Sequence, residues 1–270
     1  MAVLAGCVAG RPADPDLPIF DAHVHYSAGA WGNYPTADVR RLFDDGGVRW
    51  ALVSSSPVEG TLALVAADPG RSLPALRPYR GAVGPRTWLA DPGAVDYLEG
   101  WLAKGEFRAL GEVHVLEPRP GDRAVLARVA ALARRHAIPL HLHADAAVVD
   151  LVYELEPGVT VLWAHAGMVD PVEVVERTLA AHPTLHADLS FREDAVAPGG
   201  RLDPDWRRVL LRFHDRLLVG SDTYATYQWA DYAQRIRINR AWLAQLPEGP
   251  RRDIAYRNGL RLFGLGDGVK

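Results

Sequence analysis

Two histidines near the start of the chain have the spacing of metal ligands. His23 and His25 lie in residues 20–25, Phe-Asp-Ala-His-Val-His, a segment that is typical of a β-strand end. Side chains two positions apart on a strand lie on the same face, so both imidazoles point together. Two imidazoles on one face can hold one divalent cation. The pair alone is a weak signal, because a strand histidine is more often a hydrogen-bonded core residue.

Four further predicted strand ends carry side chains of the same chemical kind. They are Glu112 in Gly-Glu-Val-His, His143 in His-Leu-His, His165 in Trp-Ala-His-Ala-Gly and Asp222 in Gly-Ser-Asp. A carboxylate in an otherwise apolar strand is costly to bury unless it is paired or bound to a metal. Together these strand ends predict a metal site, and imidazole with carboxylate suits Zn²⁺, Mn²⁺ or Fe²⁺.

The segments that carry these residues alternate with amphipathic helical segments. Strands are predicted at residues 19–26, 48–54, 76–79, 108–115, 138–143, 159–164, 185–189 and 217–221. Helices are predicted at residues 36–45, 61–67, 92–104, 122–136, 147–155, 171–181, 206–214, 230–246 and 251–263. This alternation predicts a parallel sheet, and eight strands suit an α/β fold of the (β/α)8 TIM-barrel type. A doubly wound open sheet is the competing fold, but no Gly-x-Gly-x-x-Gly follows the first strand.

A single barrel domain at residues 19–264, closed by C-terminal helices, accounts for the 270 residues. The active groups of such a barrel lie at the C-terminal ends of its strands, where the predicted ligands fall. Residues 1–18 are predicted to be a flexible N-terminal tail and residues 265–270 a C-terminal tail.

Composition excludes several classes of site. The net charge is −3 and no basic run occurs, so nucleic-acid binding is not indicated. No apolar run reaches the roughly 18 residues of a membrane span. Cys7 is the single cysteine, which excludes an internal disulfide and a multi-cysteine metal site.

The N-terminal segment Leu-Ala-Gly-Cys that ends at Cys7 resembles a bacterial lipobox. It predicts a lipoprotein with a lipid anchor at Cys7, in the periplasm or at a membrane, and residues 11–18 would be a tether. The basic part and most of the apolar part of a full signal peptide are missing. An ordinary N-terminus on a cytoplasmic protein is the alternative.

The strand-end motifs, in their order along the chain, resemble the amidohydrolase superfamily. The closing segment, residues 253–264, is similar to that of the amidohydrolase-related branch of metal-dependent hydrolases. The resemblance covers nearly all of residues 19–264. It implies that His23, His25 and Asp222 hold one metal ion. His143 and His165 would then hold a second ion, or bind substrate if only one ion is present.

The fourth strand departs from many two-metal members, which carry a carboxylated lysine there. Glu112 occupies that place, and a glutamate bridges two ions in the TatD-type and renal-dipeptidase-like branches. The number of ions, one or two, therefore stays open. Zinc is the expected metal, and manganese and iron are the alternatives. His143 is preferred to His141 as the ligand because it is nearer the strand end. His141 is expected one layer deeper, hydrogen-bonded to Asp21, and the alternative is that His141 and His143 exchange roles.

The resemblance implies hydrolysis of a small-molecule amide, ester, lactone or phosphoester by metal-bound hydroxide, with Asp222 as general acid and base. The alternatives are a non-oxidative decarboxylase of a small carboxylic acid, a TatD-like phosphodiesterase, and a non-catalytic binding protein. A homo-oligomer is left open. Candidate substrate-binding residues are those of the predicted loops at the mouth: Tyr26, Trp31, Tyr34, Arg80, His114, Arg192, Tyr224 and Tyr227.

Overall fold

The chain folds as a barrel of eight parallel strands, and the predicted (β/α)8 fold is confirmed. The computed structural model describes residues 14–266. The strands are β1 (Ile19–Val24), β2 (Val48–Ser54), β3 (Ser72–Leu76), β4 (Ala109–His114), β5 (Leu140–His143), β6 (Val161–Trp163), β7 (Leu185–Asp188) and β8 (Leu217–Leu218). Each strand pairs with the next along the chain. Ala22 N donates to Val219 O at 2.9 Å, which brings the end of β8 beside β1.

Helices follow the strands and cover the outside of the barrel. They are α1 (Ala28–Trp31), α2 (Thr36–Gly46), α3 (Glu59–Ala67), α4 (Ala94–Leu102), α5 (Asp122–Arg135), α6 (Ala146–Leu155), α7 (Val172–Ala181), α8 (Glu193–Val196), α9 (Pro204–Arg212), α10 (Tyr232–Leu243), α11 (Glu248–Arg252) and α12 (Asn258–Leu262). The last predicted helix is interrupted, because a π-helical turn at Asp253–Arg257 joins α11 to α12. Local sequence explains a typical start: Asp203 caps α9 by accepting from the main-chain N–H groups of Asp205 and Trp206.

The strands are buried on both faces, as expected where helices cover a parallel sheet. Four tryptophans are fully buried in the surrounding core: Trp88, Trp163, Trp229 and Trp242. The closing helix α12 packs directly on β1, where a Cβ on Gly259 would lie 2.2 Å from the Phe20 ring. A side chain at Gly259 would therefore push the last helix away from the barrel.

The third strand lies four residues earlier than its predicted start, so the prediction of residues 76–79 was wrong. Its sequence contains Pro74, which lacks the N–H that an interior strand uses, and proline disfavours a central strand. The carbonyl of Pro74 nevertheless accepts from Arg108 N at 2.7 Å, on the β4 side. Because β3 ends at Leu76, Arg77 is the first residue beyond it at the mouth of the barrel.

The described chain begins inside the predicted tail. Leu17 is buried, and Arg240 donates to the carbonyl oxygens of Asp14 and Leu17 at 3.0 and 2.6 Å. Cys7 and its lipobox-like segment lie outside the described residues, as do residues 267–270. None of the helices within residues 14–266 has the length and apolar content that a membrane crossing requires.

Candidate metal centre

Three side chains at the ends of β1 and β8 meet at the floor of the barrel mouth: His23, His25 and Asp222. Nε2 of His23 lies 3.1 Å from Nε2 of His25. Oδ1 of Asp222 lies 3.6 Å from the first nitrogen and 3.2 Å from the second. Ligand atoms that each lie about 2.1 Å from one ion are about 3–3.5 Å apart. The three atoms therefore have the mutual spacing of one metal's ligands.

The hydrogen bonds of the imidazoles place Nδ1 against oxygen atoms and turn Nε2 toward the centre. Nδ1 of His25 donates to Ser54 O at 2.9 Å, and Nδ1 of His165 donates to Ser190 O at 3.1 Å. Nδ1 of His23 donates to Asp188 Oδ2 at 3.2 Å. Each Nε2 therefore faces the centre, where His23 and His25 approach so closely that a proton or a metal ion must lie between their nitrogens. An oxygen behind Nδ1 is also the arrangement that orients metal-bound imidazoles.

Glu112 lies between this triad and two further histidines, His143 at the end of β5 and His165 just after β6. Its Oε2 is 3.2 Å from His25 Nε2, and its Oε1 is 3.6 Å from His165 Nε2. Its Oε1 also accepts from Nδ1 of His143 at 2.7 Å. Gly111, with a φ of 121°, allows β4 to lie close to β5, since a Cβ there would lie 2.1 Å from the carbonyl oxygen of His141. One carboxylate thus contacts both sets of candidate ligands.

The deeper layer contains a carboxylate that the sequence analysis missed. Asp188, at the end of β7, is fully buried, and its Oδ2 accepts from both His23 and His141 at 3.2 Å. The expected bond between His141 and Asp21 is wrong. Asp21 accepts instead from Tyr232 Oη at 2.8 Å and from the main chain at the β8 end. A carboxylate in an apolar strand end, the signal used for Glu112, would also have identified Asp188.

Charge is concentrated on the buried carboxylates. Burial favours the neutral acid, but the neighbouring His23 outweighs it and holds the pKa of Glu112 and Asp188 well below their usual range. The pKa of Asp222 is lowered for the same reason. Burial opposes charge on His23, yet Asp222 and the other carboxylates raise its pKa well above 6.5. Three ionised carboxylates around imidazole nitrogens favour a positive charge at the centre.

Two buried atoms support the fit of these residues to a divalent cation. His165 Nε2 and Asp222 Oδ1 have no hydrogen-bond partner in the described part of the chain. Both residues also have left-handed backbone conformations, with φ of 58° and 48°, which non-glycine residues rarely adopt. Such strain is concentrated at functional sites, where the surrounding fold maintains it.

A cavity of about 790 Å³ opens above these side chains. Its polar wall is formed by the ends of β3 and β4, and its apolar wall includes Pro57, Val83 and Met168. Arg77, which the sequence analysis missed because β3 was placed too late, lies in the polar wall. Its Nε donates to Glu112 O at 3.2 Å and its Nη2 to Glu112 Oε2 at 3.3 Å. The guanidinium therefore fixes both ends of the residue that the ligand sets share.

The candidate substrate-binding residues are divided between the cavity and its supports. Those that line the cavity are Arg80, His114 and Tyr224. Arg80 is already paired with Asp91 at 2.6 Å. Tyr26 is buried and donates to the carbonyl oxygen of Tyr34, and Trp31 in turn donates to the carbonyl oxygen of Tyr26. Tyr227 is exposed outside the cavity lining.

Arg192 also lies outside the cavity lining and supports a loop. Its guanidinium donates to the carbonyl oxygens of Met168 and Asp170, within the loop that follows His165. Both donor nitrogens are therefore engaged by main chain. The placement favours a supporting role over contact with substrate.

Comparison with known proteins agrees with this geometry. The amidohydrolase family model matches residues 20–265. No curated protein sequence matches the chain. Among solved structures, the phosphotriesterase homology protein of Escherichia coli, complexed with phosphate in its active site, is similar at TM-score 0.64 and 13% identity, over 93% of this chain and 99% of that one.

Two further solved structures share the fold. A TatD homologue of Escherichia coli K12 matches at TM-score 0.64 and 16% identity, over 91% of this chain and 98% of that one. A probable 2-pyrone-4,6-dicarboxylic acid hydrolase of Acinetobacter baumannii, with citric acid bound, matches at TM-score 0.59 and 16% identity, over 91% of this chain and 99% of that one. The match of the family model over nearly the whole barrel shows that the chain belongs to the amidohydrolase family of enzymes.

Proposed function

We propose that this enzyme is a metal-dependent hydrolase of a small molecule, with zinc as its expected metal and manganese or iron as alternatives. The observation that carries the proposal is the meeting of the Nε2 atoms of His23 and His25 with Asp222 Oδ1 at ligand spacing. His23, His25 and Asp222 would hold one ion. His143 and His165 would hold a second ion across Glu112, or bind substrate beside a single ion.

The chemistry of a divalent cation at this position is to acidify a water molecule and to polarise a carbonyl or phosphoryl oxygen. Asp222 would accept the water's proton, since its lowered pKa keeps it ionised and it borders the cavity. Its Oδ2 is the better acceptor, because Oδ1 lies nearer the two β1 imidazoles. The same oxygen would then return the proton to the leaving group.

The other residues would fix positions and exclude water. Asp188 would hold His23 in the ligand tautomer, and Arg77 would hold Glu112 at its side chain and its carbonyl. Aliphatic and aromatic groups at the rim, including Met168 and Tyr224, would cover the apolar part of a substrate. The cavity suits a small ester, lactone, amide or phosphoester, and the phosphate held by the E. coli phosphotriesterase homology protein supports testing phosphoesters.

Metal content per chain, measured on protein purified without added metal, tests the metal centre. Glu112→Gln keeps the shape of the side chain and removes its charge, and Glu99→Gln is the control because Glu99 forms a surface ion pair with Arg135. Two equivalents that fall to one or none only in Glu112→Gln would indicate two bridged ions. One equivalent that is unchanged in the variant would indicate a mononuclear site. Failure to bind zinc or manganese when either is supplied would refute the proposal.

The reaction type is tested on the same protein with esters, lactones, amides and phosphoesters, and with aromatic carboxylic acids. Hydrolysis consumes one water for each bond cleaved. Release of carbon dioxide without hydrolysis of any of the esters, lactones, amides or phosphoesters would instead identify a decarboxylase. Cleavage of phosphodiesters alone would favour the TatD-like alternative, for which Glu112 is the supporting residue.

A further inference from the structure

A tyrosine and a histidine in the polar wall form a pair that the proposed metal chemistry does not use. Tyr79 follows β3 and His114 ends β4. The main-chain N–H of His114 donates to Tyr79 Oη at 2.8 Å, and the same hydroxyl lies 3.0 Å from Nδ1 of the His114 ring. The tyrosine therefore holds both the backbone and the ring of one residue at the mouth.

The direction of the second hydrogen bond determines the ring's tautomer. The Tyr79 oxygen already accepts from the main chain, and Tyr79 is 2% exposed. Within residues 14–266, His114 Nδ1 is the acceptor within hydrogen-bond distance of the hydroxyl. The phenolic proton therefore goes to Nδ1. A neutral imidazole that accepts at Nδ1 carries its proton on Nε2.

The Nε2–H group of His114 is available to a ligand. In the described part of the chain this nitrogen has no hydrogen-bond partner, and it is absent from the buried unpartnered atoms. His114 lines the 790 Å³ cavity together with Glu112, His143 and Arg77. Its ring stacks on that of His143, with centroids 4.1 Å apart, and the carbonyl oxygen of His114 accepts from Trp88 Nε1 at 2.7 Å. The ring is thus held on two sides, and the residue borders the cavity.

We propose that His114 is a substrate-binding residue whose Nε2–H donates to a negatively charged or carbonyl oxygen of the substrate, and that Tyr79 is the positioning residue that fixes this tautomer. The inference rests on the proposed function, because it assigns this donor to the substrate of the same cavity. The candidate ligands His23, His25 and His165 have oxygen acceptors at Nδ1. His114 instead has a hydroxyl donor at Nδ1, so its proton lies on Nε2.

Nuclear magnetic resonance of the ring nitrogens tests the tautomer without any substrate. In ¹⁵N-labelled protein at neutral pH, the His114 signals, assigned by their loss in His114→Gln, should show a protonated Nε2 and an unprotonated Nδ1. Tyr79→Phe should give a mixture of the two tautomers. Tyr153→Phe is the matched control, because it removes a hydroxyl that is hydrogen-bonded to Thr184 on the far side of the barrel. A protonated Nδ1 in the unaltered protein would overturn the proposal.

Benzoate, a small apolar carboxylate, is the probe for oxygen binding. Its addition should shift the His114 Nε2 signal. His114→Gln should weaken the Kd for benzoate about tenfold, the effect of losing one hydrogen bond to a charged group. Tyr79→Phe should weaken it about two- to threefold, because the donor is still present but less ordered. The exposed His136→Gln is the histidine control.

Absence of a benzoate-dependent shift at His114, or an unchanged Kd in His114→Gln, would overturn the assignment. These measurements are separate from metal content and turnover. If no metal binds but the tautomer and the benzoate shift are found, the metal proposal alone fails. If metal and hydrolysis are found without them, the role of His114 alone fails.

Discussion

Strand β7 carries two ionisable side chains at positions two residues apart, and their surroundings are opposite. Asp188, at the mouth end, is buried, yet contacts with His23 and His141 hold its pKa well below the usual range. His186, toward the other end of the barrel, has an Nδ1 without a hydrogen-bond partner in the described residues, and burial lowers its pKa to about 4. Burial disfavours charge at both positions, so the difference comes from the partners.

The two ends of the barrel therefore differ in the kind of interaction they contain. At the mouth, carboxylates and imidazoles lie together and retain charge although they are buried. At the other end, an imidazole lies near Arg216 and remains neutral. In barrels of this kind, residues at the C-terminal face serve function and those at the opposite face serve stability. Substitutions at the two ends should therefore change different measurements.

The largest effect is expected for Asp222→Asn at the mouth. The amide cannot accept a proton, so kcat should fall by roughly 10²- to 10⁴-fold. The assay uses saturating zinc and the best substrate found in the hydrolase screen, and metal content is measured in the same sample. Full activity with full metal content would exclude Asp222 as the proton acceptor.

The second effect is expected for Asp188→Asn, deeper in the same end. The amide nitrogen would donate to Nδ1 of His23 and force the ring's proton onto Nε2, where the ion is expected. Metal affinity should fall about 10- to 100-fold. Competition with a chromophoric chelator measures it.

Asp21→Asn is the matched control for this substitution. Asp21 is an equally buried carboxylate, but its partners are the Tyr232 hydroxyl and main-chain N–H groups. Metal affinity within about twofold of the unaltered protein is expected. Equal losses in the two variants would mean that general disruption of the floor, not the tautomer of His23, explains the effect.

Sequence patterns predicted the parts of this molecule that local rules determine. Strand ends with His or carboxylate side chains identified His23, His25, Glu112, His143, His165 and Asp222, which the structure brings to one mouth. Alternating apolar strands and amphipathic helices predicted the barrel, because buried residues recur along the sequence with the period of the helix or the strand.

The remainder depended on contacts between distant segments. Pro74 concealed the true extent of β3, so Arg77 was not recognised as a residue of the mouth. His141 was paired with Asp21 because both occur on inward-facing positions. The partner of His141 is instead Asp188 of β7, a residue 47 positions later in the chain. Arg192 looked free to bind an anion, but its partners are carbonyl oxygens of a loop more than twenty residues earlier.

A smaller effect at the mouth is expected for Arg192→Gln. Its guanidinium holds the loop in which His165 and Met168 have left-handed backbone conformations. Loss of one or two hydrogen bonds should weaken metal affinity about two- to tenfold, and the resulting loss of turnover should be the same for neutral and anionic substrates. Arg80→Gln is the comparison, because Arg80 lines the cavity and should change KM instead. A rise in KM confined to anionic substrates in Arg192→Gln would restore a substrate-binding role.

The smallest effect on activity, and a distinct effect on stability, is expected for His186→Gln at the other end. The folded state holds the pKa of His186 at about 4, below its ordinary value of 6.5. The unfolded chain therefore binds the proton first as pH falls, and the stability that the neutral ring contributes is present above pH 6.5 and lost between about 6.5 and 4.

Urea unfolding of metal-free protein at pH 7.5 and pH 5 measures this contribution. The unaltered protein should lose more free energy of unfolding between the two values than His186→Gln does, by about 1–2 kcal/mol once partial exposure is allowed for. Metal affinity and turnover at pH 7.5 should be unchanged. His136→Gln, which removes an exposed histidine, should retain the full pH dependence. If His186→Gln and His136→Gln behave alike in urea, or if His186→Gln lowers metal affinity, the two ends of β7 are not separable in the way their contacts indicate.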